Sequence, residues 1–123
     1  MDQSLIFTKV LSKTDVEHRM AIPMESFAVF GIPQGKHSQD FDFLDMISTR
    51  RSWSFRCSIR TSNSHPKPFL TSDWIKYVKE KYLKEGDQVS FFYVKKDGEE
   101  RLQFGVQALK KSRFMGTDFW APV

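Results

Sequence analysis

Arginines spaced by serines are the most chemically distinctive stretch of this sequence. In Arg51-Ser-Trp-Ser-Phe-Arg-Cys-Ser-Ile-Arg60, the residues Trp53, Phe55, Cys57 and Ile59 fall on alternate positions, with Ser52, Ser54, Arg56, Ser58 and Arg60 between them. A period of two is that of a strand with one buried face and one wet face. No acid stands on the wet positions, and the strand leads into a polar loop, Thr61-Ser-Asn-Ser-His-Pro-Lys-Pro68. A cationic strand that ends in a cationic loop can be offered to a phosphate backbone.

Other chemistries find no support in the residue pattern. A metal site needs clustered His, Cys, Asp or Glu, whereas His18, His37 and His65 are scattered and Cys57, the single cysteine, falls on the apolar side of its strand. Neither standard Gly-rich phosphate loop is present. Asp42 and Asp45 read as solvated acids at a strand end rather than as a catalytic pair. No enzyme and no cofactor are expected.

The net charge of +4 is modest, but its distribution is uneven. Residues 1–49 sum to −3, residues 50–81 to +6 and residues 82–123 to +1. Clustered charge of one sign attracts a polyanion better than the same charge scattered. At 123 residues, with a 40% hydrophobic share and 12 Phe, the chain reads as one domain with a real core, which excludes a disordered chain. No run approaches 18 apolar residues, and Met1-Asp-Gln-Ser lacks the layout of a signal peptide. A lone core cysteine fits an intracellular protein.

The elements that must position the arginine strand follow from periodicity and turn chemistry. Leu5–Leu11 reads as a first strand. Thr14 with Glu17 has capping-box spacing for a short helix, broken at Ile22-Pro23. Pro23–Gly31 is a second short helical candidate, with Pro at its start and Gly after its end. Ile32–Gln39 reads as a loop and Phe41–Ile47 as a strand. Phe69–Thr71 follows the polar loop, and Thr71 or Ser72 is placed to cap a helix from Trp74. That helix presents Trp74, Val78 and Tyr82 on one stripe, and Gly86-Asp87 closes it. Val89–Lys95 and Arg101–Gln107 form a hairpin around Asp97-Gly98. About seven short strands joined by hairpins favour a mostly antiparallel, barrel-like sheet. Residues 1–109 are expected to form the domain and residues 110–123 a C-terminal tail, whose Phe114, Phe119 and Trp120 either pack back on the domain or are an aromatic remnant.

The order of these landmarks resembles the plant B3 DNA-binding domain. The matching pieces are Phe7-x-Lys9, Asp15-Val16, Ile22-Pro23, Trp53-x-Phe55-Arg56, Leu70-Thr71-x-x-Trp74, Tyr77-Val78 and Leu83-x-x-Gly86-Asp87-x-Val89-x-Phe91, spread over about residues 5–107. The resemblance implies a mainly β fold, a seven-stranded open antiparallel pseudobarrel with two short flanking α-helices. It implies a nuclear transcription factor that grips double-stranded DNA in the major groove with two arms. One arm is 9–19, with Lys9, Ser12, Lys13 and Arg19 as its polar candidates. The other is 56–64, with Arg56, Ser58, Arg60, Thr61, Ser62 and Asn63.

Arg pairs bidentately with guanine and Asn with adenine, so Arg60 and Asn63 are the expected base readers. Lys9, Lys13, Arg19 and Arg56 are the expected backbone contacts. The sequence departs from the family pattern at Glu17-His18-Arg19 and at Asp73, so the fold transfers better than the base preference. Two alternatives stand beside this reading. One is a pseudobarrel used for protein–protein interaction or nonspecific DNA binding. The other is a single-strand binder, which would want aromatic residues where Ser52, Ser54 and Ser58 stand.

Overall fold

In the computed structural model, residues 2–32, 36–60 and 67–123 are described, Arg60 by its backbone alone. The alternating stretch forms strand β4 (Ser52–Arg60), with Trp53, Phe55 and Cys57 buried and Ser52 and Arg56 exposed. Antiparallel neighbours flank it: β3 (Ser38–Asp45) on one side and β5 (Lys67–Ser72) on the other. The two-residue β2 (Met20–Ala21) continues beyond β5. A second antiparallel group contains β1 (Asp2–Val10), β6 (Gln88–Lys95) and β7 (Leu102–Phe114).

The groups join where β3 meets β7, from Phe43 opposite Phe104 to Asp45 opposite Val106. The resulting path, β1-β6-β7-β3-β4-β5-β2, is the curled seven-stranded pseudobarrel expected from the sequence. It is not wholly antiparallel, because the β3–β7 join is parallel. Such a pair needs a long connection, and β4, β5 and β6 supply it here.

Three short helices cover the sheet among the described residues. In α1 (Lys13–Glu17) the capping box is Ser12 with Asp15, not Thr14 with Glu17. Pro23 precedes α2 (Met24–Phe27), and a 3-10 turn (Ala28–Phe30) ends at Gly31 with φ 59°. In α3 (Trp74–Glu80) the N-cap is Asp73, since β5 runs through Ser72 and takes up both expected caps. The buried stripe of α3 is Trp74, Tyr77 and Val78. Tyr82 lies past the helix end and is 78% exposed, which corrects its expected place on the stripe.

The core is largely aromatic. Phe55 lies 5.0 Å from Phe43 and 5.7 Å from both Trp74 and Tyr77, centroid to centroid. Trp53 meets Tyr77 edge-on at 5.0 Å. The inner face of β4 is thereby clamped under α3, which fixes the parity of its outer face.

Residues 110–123 do not leave the domain as a free tail. β7 continues to Phe114, and β8 (Thr117–Pro122) returns along it, with Lys111 opposite Trp120 and Arg113 opposite Asp118. The indole N–H of Trp120 donates to the Gly86 carbonyl at 3.0 Å, and the Val123 amide donates to Ala108. Met115 and Gly116 both hold positive φ, the form of two-residue turn that suits strand twist. Methionine in that position carries no turn signal, so the ribbon is silent in the sequence.

Candidate nucleic-acid interface

Three buried aspartates shape the loops around the sheet, and the first of them builds the arm 9–19. Asp15 is almost fully buried. Its carboxylate accepts from the Ser12 amide at 2.8 Å, the Ala21 amide at 3.1 Å and the Lys9 ammonium at 3.0 Å. Lys9 also donates to the Ala21 carbonyl at 2.7 Å, and the Trp74 indole donates to the Asp15 carbonyl at 2.7 Å. These bonds fasten α1 and β2 to the end of β1 and to α3. Two expected DNA contacts are thus engaged inside the arm: Lys9 with Asp15 and Ala21, and the Ser12 hydroxyl with the Asp15 amide.

Lys13 is exposed and Arg19 half-buried, and neither has a carboxylate partner among the described residues. The Arg19 guanidinium lies over the Phe69 ring, 4.5 Å from its centroid, and stacking of this kind restricts the fork without neutralising it.

β-Pairing brings this arm to the arginine strand. Ala21 stands opposite Phe69, which stands opposite Ser58; one step outward, Lys67 stands opposite Arg60. The Ile22 amide donates to the Pro68 carbonyl at 3.0 Å. Thr14, Arg19, Ala21, Lys67 and Phe69 line a depression of about 180 Å³ at the junction. The first expected arm therefore meets the described part of the second, residues 56–60, at β2–β5–β4. Arg60 has a fixed register there, and its side chain, with Thr61, Ser62 and Asn63, lies outside the described residues. Lys67 and Phe69 belong to this face and were missed as site residues. Their alternation with Leu70 and Pro68 is short, and only the pairing with β2 and β4 reveals the face.

The inner margin of the face is not purely cationic. Asp40 of β3 stands opposite Arg56, and Asp42 stands opposite Ser54. Arg56 Nε donates to Asp40 Oδ1 at 2.7 Å and Nη2 to Oδ2 at 3.3 Å. The guanidinium, by hydrogen bond and then by charge, outweighs slight desolvation and holds the Asp40 carboxyl below its ordinary range. The acid-free wet face holds for β4 alone and not for the sheet. Arg51 is likewise occupied, paired with Glu80 and stacked over Trp53 at 4.0 Å.

The other two buried aspartates lie away from the arms. Asp45, expected as a solvated strand-end acid, is buried and accepts from the amides of Ile47 and Ser48, the Trp53 indole and Lys81. Asp42 is exposed, as expected. Asp87 accepts from the amides of Lys84 and Lys111 and from the Lys110 ammonium. Burial pushes the Cys57 thiol up to about 12, so it stays protonated and inert. Among the described residues no group of three or more His, Cys, Asp or Glu is placed to hold a metal ion, and no helix is long and apolar enough to cross a membrane.

A curled open sheet whose β2–β5–β4 edge carries the first arm, with short helices flanking it, defines a pseudobarrel domain. The chain belongs to the B3 DNA binding domain family, whose model matches residues 7–108. That family is a class of DNA-binding domain rather than of enzymes. The chain is 36% identical over 92 residues to the B3 domain-containing transcription factor NGA4 of Arabidopsis thaliana, covering 71% of this chain and 26% of NGA4. It therefore spans about a quarter of that relative's length.

Among solved structures, the Arabidopsis FUS3–DNA complex is similar with a TM-score of 0.71 at 20% identity, over 85% of this chain and 96% of that one. The Arabidopsis thaliana LEC2–DNA complex gives 0.74 at 18% identity, over 87% and 94%. A hypothetical Arabidopsis thaliana protein gives 0.56 at 25% identity, over 85% and 90%. The outer half of β7 and all of β8 lie beyond the residues matched by the family model.

Proposed function

We propose that this domain is the sequence-reading part of a plant transcription factor, binding double-stranded DNA through the major groove in the nucleus. One observation carries the reading: Arg19 and Lys67, cations without a carboxylate partner among the described residues, meet beside the end of β4, with the exposed Lys13 on α1 of the first arm. The relatives add support, since NGA4 is a transcription factor and FUS3 and LEC2 were solved with DNA.

In this scheme Lys13, Arg19 and Lys67 contact phosphates and fix the register of the domain on the duplex. Arg60 and Asn63 read base edges as bidentate donors. Ser58, Thr61 and Ser62 supply hydroxyls to bases or phosphates. Lys9 and Ser12 hold the shape of the first arm, and Arg56 stands at the inner margin.

Selection from a random double-stranded pool, followed by salt titration of the enriched site, tests the proposal. The expected result is a defined motif whose affinity falls roughly fortyfold between about 50 and 200 mM salt, as about three phosphate contacts require. Arg60→Ala should lose the motif while keeping residual binding. No retention at low salt would overturn the DNA reading. It would favour protein–protein interaction, for which the exposed Phe114, Met115 and Phe119 at the β7–β8 ribbon are the specific feature.

A further inference from the structure

We infer that Asp40 is a specificity-determining residue: its carboxylate holds the Arg56 guanidinium and withholds it from the phosphates of noncognate DNA. The inference rests on the DNA-binding reading above. Arg56 shares the outward parity of β4 with Ser58 and Arg60, at the inner margin of the face. Its Nε and Nη2 are both taken by Asp40, at 2.7 and 3.3 Å, in the fork geometry that a phosphate would otherwise occupy. Both partners are about half exposed, so the pair is open to exchange rather than locked by burial. Asp42, exposed one alternation along β3, adds a second negative charge beside it.

Noncognate affinity comes almost wholly from phosphate neutralisation and counterion release. A cation already neutralised by a neighbouring carboxylate releases no counterion from DNA, so Arg56 adds nothing to noncognate binding while Asp40 holds it. Two acids at the margin also repel a backbone that slides past the junction. On the right site, where base contacts fix the register, Arg56 exchanges from Asp40 to a phosphate, so wrong complexes alone forgo that contact and the gap widens.

The experiment compares wild type, Asp40→Asn, Arg56→Ala and the double variant on a random-sequence duplex, titrated across salt, with thermal melts to check folding. Asp40→Asn is expected to bind the random duplex roughly 3- to 10-fold more tightly and a duplex carrying the selected site by a smaller factor; an equal gain on both would overturn the inference. The variant's log–log salt slope on the random duplex should steepen by about 0.9, the increment for one added phosphate contact. Arg56→Ala alone should leave affinity and slope near wild type, and in the Asp40→Asn background it should abolish the gain. The inference is overturned if wild type binds with a steep slope while Asp40→Asn leaves it unchanged or weakens binding. It is equally overturned if Arg56→Ala alone flattens the slope by a full contact. Wild type that binds no duplex at low salt is a different failure, that of the DNA reading itself.

Discussion

Lys9–Asp15 and Arg56–Asp40 are ion pairs of similar length, 3.0 and 2.7 Å, in opposite settings. In the first the side chains are 22% and 2% exposed, and in the second 50% and 52%. The buried carboxylate gathers two backbone amides besides its ammonium and becomes a joint of the fold. The exposed one gathers only its arginine and stays exchangeable with solvent or phosphate. Burial, not charge, separates a pair that shapes the first arm from a pair that stays exchangeable at the margin of the face.

The sharpest way to break this contrast is to remove each carboxylate. Asp15→Ala leaves Lys9 and the amides of Ser12 and Ala21 without their partner in a nearly closed site. It should destabilise the domain by about 3 kcal/mol or more, the usual consequence of breaking a buried pair, read as a lower denaturant midpoint at unchanged slope. Asp40→Asn should leave that midpoint where it is. Equal midpoint losses in the two variants would erase the distinction.

A graded effect comes next, from acid. Burial raises the carboxyl pKa of Asp45, but the amides of Ser48 and Ile47, Lys81 and the Trp53 indole outweigh it, and the net shift is downward from 3.8. Asp87 is lowered likewise, with Lys110 and the amides of Lys111 and Lys84 prevailing over burial. Groups depressed on folding bind more protons in the unfolded chain, so their stabilisation is present above about pH 4 and lost as pH falls through the lower folded values. Denaturation midpoints should therefore drop below pH 4, and less steeply in Asp87→Asn, measured relative to its own neutral-pH midpoint. A variant as acid-sensitive as wild type would remove Asp87 from this account.

The smallest change expected is at the junction itself. Lys67→Ala should leave stability unchanged, weaken all duplexes about equally and reduce the salt slope by about 0.9. A loss confined to one DNA sequence would make Lys67 a base reader instead.

Much of this was legible in the sequence. The alternation in Arg51–Arg60, the Asp97-Gly98 hairpin and the amphipathic start of α3 are local signals, and each became the element its period dictates. What stayed hidden depends on partners distant in the chain. The parallel β3–β7 join has no sequence mark, and Asp40 meets Arg56 only through the β3–β4 register. Asp15 is only half of the Asp15-Val16 landmark until the return of β2 brings the Ala21 amide onto its carboxylate. Tyr82 has stripe spacing, but α3 stops at Glu80. Arg60, Thr61, Ser62 and Asn63 remain expectations drawn from residue type and resemblance.

The most direct test is amide chemical-shift mapping by NMR, with a duplex carrying the selected site titrated into the labelled domain. Perturbations should concentrate in residues 12–21, 57–60 and 67–71, the segments that meet at β2–β5–β4, and spare the 96–101 turn. Shifts confined to the 110–122 ribbon, or no shifts at low salt, would contradict the β2–β5–β4 junction as the DNA-binding face.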